Sequence, residues 1–511
     1  MPNSLTVLSI GLVLAAYLVY SIYCHLTSPL KSIPGPWIAR FTRVWYFMHV
    51  RSGQFHHKNI ELHAKYGPIV RVAPNMYSIS EPDKAVYGIG SKFAKSDWYE
   101  GWKHPSPDRW TLFPDRDMKR HAETRKRFQN LYSMSSLVSY ETYVEECMDI
   151  FLKKMKSFSS SDKSVDMAHW FQCYAFDVMG DITYSERFGF LDNGEDVNGT
   201  LVALDNSMVY STLVGIYAWA HPFLFAILEK LPGSGAAGRT FLMRFVQQKI
   251  TERNHARTEV KKGEKQQTRG DDESAPQDFL DKLSDAHERD PQRVTPYHIF
   301  MMGLSNIVAG SDTTAVSLSS CLYNLVKHPS TLAKLRKEIK EHQLRRETPS
   351  ECLTFKESQS MPYLLAVIKE ALRLHPATGL PLWRVVPEGG AYIAGHQFPA
   401  GSVVGLNSWV AHYNPSVFGA DVNVFRPERW LEVEKEKGEQ YQKMEANYLP
   451  FGLGSRTCLG RHISTLEMCK LIPEFVHKFD FELDMMGDNW KTMNYWFVKP
   501  VGFQVWVKPK I

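Results

Sequence analysis

The run Phe451-Gly452-Leu453-Gly454-Ser455-Arg456-Thr457-Cys458-Leu459-Gly460 sets one cysteine in a glycine-rich loop with an arginine two residues before it. Downstream, Met468, Leu471, Ile472, Phe475, Val476 and Phe479 recur at i, i+3, i+4, i+7, i+8 and i+11, the period of an amphipathic helix. Cys458 therefore sits at or just before a helix N-terminus, where the positive end of the dipole favours a thiolate. Gly452, Gly454 and Gly460 let the backbone turn tightly and aim amides at the sulfur. A thiolate held in this way can be the axial ligand of a haem iron, where it pushes electron density that favours O–O cleavage.

Such chemistry needs protons as well as electrons. Ala309-Gly310-Ser311-Asp312-Thr313-Thr314 places a carboxylate beside an alcohol inside a long apolar stretch. Heterolysis of an O–O bond takes two protons at the outer oxygen; Thr313 would hold that oxygen and Asp312 would feed it. Gly310 in a helix interior costs about 1 kcal/mol against alanine, so something is expected to approach the backbone there. A flat macrocycle with bound O2 would need that room.

The elements that position these groups can be read from the same pattern. Asp312 is the only Asp, Glu, Lys or Arg between Val294 and Val326, Thr295-Pro296 supplies an N-cap with proline at N1, and Pro329 a stop. The segment predicts a helix ~50 Å long, buried at the centre of a large protein because it is apolar all round. Tyr66–Val72 and Met76–Ser80 predict a hairpin about Ala73-Pro74-Asn75. Residues 101–117 predict a loop, 119–128 a basic helix, and 261–278 a charged interhelix loop. Asn206–Leu228 carries no Asp, Glu, Lys or Arg, and Pro222 interrupts it; it predicts an apolar lid that packs on the core or dips into a bilayer surface.

Ser4–Cys24 is uncharged and long enough for a membrane-spanning helix. The first positive charges, Lys31, Arg40 and Arg43, follow it, which places the rest of the chain in the cytoplasm. The expected organisation is an anchor over 1–28, a proline-rich linker over 29–45 around Ile33-Pro34-Gly35-Pro36, and a catalytic domain over 46–511. A net charge of +5 gives no argument for nucleic acid. Seven scattered cysteines without a CxxC pair indicate neither a disulfide framework nor a zinc site.

The F-x-x-G-x-R-x-C-x-G spacing from Phe451 through Gly454 to Gly460 resembles the haem-binding loop of the cytochrome P-450 superfamily, and the Gly310–Thr314 motif its oxygen-activation motif. The resemblance covers about residues 30–511. It implies the mainly α (α+β) cytochrome P-450 fold, with a long central helix over haem, a small β-rich N-terminal subdomain and an N-terminal transmembrane helix. It also implies haem b as cofactor, O2 as oxidant, and NADPH acting through a flavin-containing NADPH–cytochrome reductase, with cytochrome b5 a second candidate partner. Glu370, Arg373 and Arg429 resemble the family's buried acid–arginine–arginine triad, a structural role. Haem propionates need cationic partners: Arg456 is the first candidate, His121 and Arg125 match the family's W/H-x-x-x-R pattern, and Arg384 its strand arginine. Lys119, Lys126 and Arg127 are expected to form a basic face for an acidic reductase. Lys95–Tyr99 and Leu131–Leu137 look like filamentous-fungal enzymes of the pisatin-demethylase-like type, which implies a lipophilic natural-product substrate. The expected activity is monooxygenation at the endoplasmic reticulum membrane, with a single-pass anchor and a cytosolic catalytic domain. Two other readings stay open: a same-fold isomerase or dehydratase acting on a peroxide, and a non-catalytic haem sensor or carrier.

Overall fold

The structure is a computed structural model that describes residues 4–161, 163–261, 277–345, 352–484 and 490–510. Residues 262–276, most of the expected charged loop, lie outside the described residues.

Helix α1, Ser4–Thr27, is continuous. The proline-rich stretch after it is docked on the body and is no free spacer. Leu30 and Ile33 are buried, Arg71 donates to the Leu30 carbonyl, and a Cβ on Gly35 would meet the Arg71 carbonyl oxygen at 2.2 Å. Strands β1, Ile69–Ala73, and β2, Met76–Ile79, form the expected antiparallel hairpin, with Asn75 turning at φ 57°. Both are wholly buried, which suits their run of Ile and Val.

Helices dominate from there. Asp117 caps α2, Met118–Phe128, by accepting from the Arg120 amide. Helix α3, Met167–Tyr184, is buried along most of its length. The expected lid is two helices, α4 (Thr200–Val214) and α5 (His221–Leu228), joined by a 3₁₀ turn over 215–220 in which Tyr217 leaves helical geometry. Val197–Leu228 as a whole is also long and apolar enough to cross a membrane, but this break divides it. Helix α4 packs on α6, Gly235–Lys261.

The central helix α7, Pro296–Lys327, begins with the expected Thr295 cap and Pro296 at N1. It packs along α3 and crosses α6, α8 (Pro362–Leu374) and α9 (Arg461–Lys478). Strands β3, Arg384–Val385, and β4, Val403–Leu406, complete the N-terminal sheet in the order β1-β2-β4-β3; β4 runs parallel to β2. A C-terminal hairpin, β5 (Thr492–Tyr495) and β6 (Phe497–Pro500), returns against α7. A third sheet pairs Gln504–Pro509 with Val165–Asp166 and Phe479–Leu483. One large apolar core unites these elements.

Candidate active site

The cysteine loop closes on itself: the Cys458 amide donates to the Phe451 carbonyl at 2.8 Å, and the Thr457 hydroxyl to the same oxygen at 3.2 Å. Gly454 has φ 57°, and a Cβ there would meet the Tyr87 carbonyl oxygen at 2.0 Å, so no other residue fits this approach. Arg125 on α2 donates to the Thr457 carbonyl at 2.7 Å, which ties the loop to the basic helix. Gly460 is the N-cap of α9, so Cys458 stands just ahead of that helix, as expected. Burial pushes its thiol up, against the pull of the Gly460 and Arg461 amides and the charges of Arg125 and Arg461.

Cys458 opens onto a cavity of about 370 Å3 that also takes in Phe451, Leu453, Gly310, Thr313, and the four basic candidates His121, Arg125, Arg384 and Arg456, whereas Gly454 itself does not line it. Lys95 joins them, although in the sequence it stands out only within the Lys95–Tyr99 resemblance. Lys95 and Arg384 are 5% and 4% exposed, yet neither has a carboxylate partner among the described residues. Lys95 donates to the Phe113 carbonyl, and Arg384 to the Trp383 carbonyl at 3.0 Å and the Tyr99 hydroxyl at 3.4 Å. Arg456 donates only to a backbone carbonyl, that of Asp115, at 2.9 Å. The Asp115 carboxylate is itself occupied by Arg120.

These crowded cations depress one another. Burial and the Arg384 charge hold Arg456 down to about 10. Burial, with Arg456, Lys95, Arg125 and Arg384, holds His121 down to about 2, so it is neutral. Burial and the same arginines hold the Lys95 ammonium well below the usual lysine range. Buried charge of one sign is costly without an opposing ion. The site is built for an anionic ligand.

Helix α7 supplies the alcohol as expected but presents the acid differently. Thr313 faces the cavity, and its hydroxyl donates to the Ala309 carbonyl at 2.8 Å. Asp312 is fully buried and does not line the cavity. Its Oδ1 accepts from Lys499 on β6 at 2.8 Å and from Gln172 on α3 at 2.5 Å, while its Oδ2 has no partner. Lys499 also reaches Asp205, half-exposed on α4. Burial pushes the Asp312 carboxyl up, and Lys499 pulls it down. Gly310 needs a correction as well. It lines the cavity, but a Cβ there would strike Met179 Cγ at 2.7 Å, so the close approach comes from a packed side chain of α3.

Glu467 on α9 gave no signal in the sequence. It lines the cavity wholly buried, neither carboxylate oxygen has a partner, and burial alone pushes its carboxyl well above the usual range. The acid–arginine–arginine group forms as expected. Glu370 accepts from Arg373 Nε and Nη2 at 2.9 and 2.8 Å, from Arg429 Nε at 2.9 Å and from Trp430 Nε1 at 2.9 Å. On α2, Lys119 and Lys126 are exposed, while Arg127 is half-buried.

The sequence model of the family "Cytochrome P450" matches residues 34–506. The chain is 39% identical over 502 residues to pisatin demethylase of Fusarium vanettenii, covering 98% of this chain and 94% of that protein. It is 37% identical over 462 residues to a cytochrome P450 monooxygenase of Aspergillus terreus, covering 88% and 90%. It is 35% identical over 509 residues to one of Emericella nidulans, covering 98% of each. The chain belongs to the cytochrome P450 family, and it is a monooxygenase. The family's cofactor is haem and its oxidant O2. The donor set fits that group: among the described residues Cys458 is the one thiol that opens onto the cavity, and buried cations lacking acids match two propionates.

Proposed function

We propose that the Cys458 thiolate would hold the haem iron and that Arg456, Arg384, Arg125 and Lys95, with neutral His121 as a hydrogen-bond donor, would hold its propionates. Haem, when bound, supplies the binding and activation of O2. The rest is the work of this chain's own residues. The Phe451–Gly460 loop orients the sulfur, and the amides of Gly460 and Arg461 with the charges of Arg125 and Arg461 favour its anionic form. Phe300, Leu304, Val308 and Phe497 line the cavity and exclude water from it. The Thr313 hydroxyl donates a proton into the cavity. Asp312 resupplies it once its carboxylate has left Lys499 and taken up a proton from water; its Oδ2, without a partner among the described residues, sits one residue along the same helix.

Electrons are taken from NADPH through a flavin reductase that docks on Lys119, Lys126 and the flank of Arg127, with cytochrome b5 a further donor at the same face. The substrate is a lipophilic natural product of fungal secondary metabolism, a reading supported by the likeness to pisatin demethylase. Helix α1 is the single-pass anchor in the endoplasmic reticulum membrane, with the catalytic body cytosolic. Helix α5 supports this reading. Trp219, Phe223 and Ile227 are 75%, 71% and 63% exposed, and Trp37 beside the anchor is 73% exposed. Arg43 donates to the Ile216 carbonyl at 2.7 Å, which joins the two apolar surfaces. A patch of this size is a membrane contact.

The observation that carries the proposal is one cysteine thiol opening onto a cavity also lined by buried cations without carboxylate partners among the described residues. The reduced protein under carbon monoxide should show the long-wavelength Soret band of thiolate ligation. Cys458→Ala should abolish that band, and its persistence would rule the assignment out.

A further inference from the structure

A second basic group lines the same cavity, apart from the propionate set. Arg239 on α6 is 8% exposed and has no carboxylate partner among the described residues. Its Nη1 donates to the Lys103 carbonyl at 2.6 Å, and its Nη2 to the Gly101 carbonyl at 2.8 Å and to the Ser211 hydroxyl. Every acid in the neighbourhood is spent or remote. Glu100 is taken by Lys103 and Arg116, Asp108 by Ser106, and Glu229 is exposed on the rim. The cationic neighbours of His104 are Arg109 and Arg239, with Glu229 and Asp108 as the opposing acids, whereas those shared by Lys95 and His121 are Arg384 and Arg456. The two sets are therefore distinct centres of charge.

The walls beside Arg239 are flat and short of acceptors. Trp102 stands at 5.5 Å from Phe113 and 5.8 Å from Trp496 between ring centroids, and its buried Nε1–H has no acceptor. Trp496 holds its place at φ 83°, a strained value for a bulky residue, and so its ring is fixed in the box by the β5–β6 turn. A second cavity, of about 690 Å3, shares His104, Arg109, Met243, Tyr297 and Phe300 with the first and adds Arg244. It runs between α6 and the start of α7, and its basic residues draw anions inward.

We propose that this pocket takes a planar aromatic substrate bearing a carboxylate, which Arg239 and the Trp102 N–H receive and which Arg109 and Arg244 guide in. The proposal rests on the monooxygenase reading above and names its substrate class. A guanidinium held by neutral carbonyl and hydroxyl dipoles gains a full counter-ion when the acid enters, and the aromatic box stacks on its ring. A neutral substrate would leave both Arg239 and Trp102 as they stand.

Calorimetric titration of the full-length protein with 2-naphthoic acid and with 2-naphthamide tests this, since the two differ in charge and hardly in shape. The acid should bind about ten-fold or more tighter than the amide, and Arg239→Gln should erase that preference. Arg109→Gln, exposed on the rim and harmless to folding, should weaken the acid a few-fold at low salt and leave the amide unchanged. Equal binding of the two probes, binding of neither, or a preference that survives Arg239→Gln would overturn the proposal and leave Arg239 a clamp between α4, α6 and the 101–103 turn. If Arg239→Gln does not fold, the Arg109→Gln result decides. The carbon monoxide spectrum of each variant reports the haem reading separately, because calorimetry with these probes needs no haem signal.

Discussion

Two groups of buried cations sit in this molecule, and they differ in one respect. Around Glu370, Arg373 and Arg429 are 0% and 2% exposed, and every donor described finds a carboxylate oxygen or a carbonyl. Around the cavity, Lys95, Arg384 and Arg456 are held by carbonyls and a phenol but by no acid. The first group is complete without a ligand, and removing one member leaves the others stranded. The second is complete only when something anionic arrives. A saturated cluster of buried charge is architecture; an unsaturated one is a receptor.

The comparison is broken most severely at its saturated side. Glu370→Gln leaves two arginines facing each other in the interior and should cost about 3–5 kcal/mol, enough that circular dichroism finds little cooperative melting. The equivalent change on the unsaturated side behaves in the opposite way. Arg384→Met should cost the haem-free protein less than about 1 kcal/mol, since it removes a charge that had no carboxylate partner, yet weaken haem retention about ten-fold or more, read by transfer of haem to apomyoglobin. If Arg384→Met unfolded the haem-free chain as Glu370→Gln does, the distinction would fail.

Asp312 and Lys499 are a matched pair that must come apart in use. Lys499→Met should slow turnover about ten-fold by raising the cost of ionising Asp312, with product per NADPH changing less than the rate. The finest test uses two groups of opposite sign. Lys95 carries a lowered ammonium, so the unfolded chain binds the proton more tightly, and stability of the haem-free protein should rise with pH up to the ordinary value of 10.5. Glu467 carries a raised carboxyl, so the folded chain keeps its proton longer, and stability should fall as pH climbs from 4.5 toward the raised value. Lys95→Met and Glu467→Gln should each flatten its own slope in urea midpoints measured across pH.

What could be read in the sequence was what neighbouring residues decide. The Cys458 loop declares itself through glycines, an arginine and a helix start within ten residues, and α7 through its cap, its length and its lack of charge. The first hairpin was equally plain, because a short β-branched run and turn chemistry are local. Lys499, Glu467 and the partner of Gly310 were hidden because each matters through a residue far along the chain. No spacing rule links Asp312 to β6, or predicts that Met179 fills the groove beside Gly310. Lys95 lay in a segment already noticed, but its role depends on Arg384 and Arg456 converging on it from two other elements. The break in the lid was half visible: Pro222 pointed to an interruption, whereas Tyr217 carries the backbone change.

The C-terminal hairpin bears on the order of events during synthesis. Trp496 and Phe497 wall the cavity and Lys499 neutralises Asp312, so the interior is incomplete until residues 492–500 have left the ribosome. The helices that surround it are made long before, with Asp312 waiting without its cation and one wall missing. Domains of this size gather their earlier parts first. The nascent chain therefore passes through a stage with a formed cysteine loop and an open side, a doorway for a rigid cofactor that the finished hairpin then shuts.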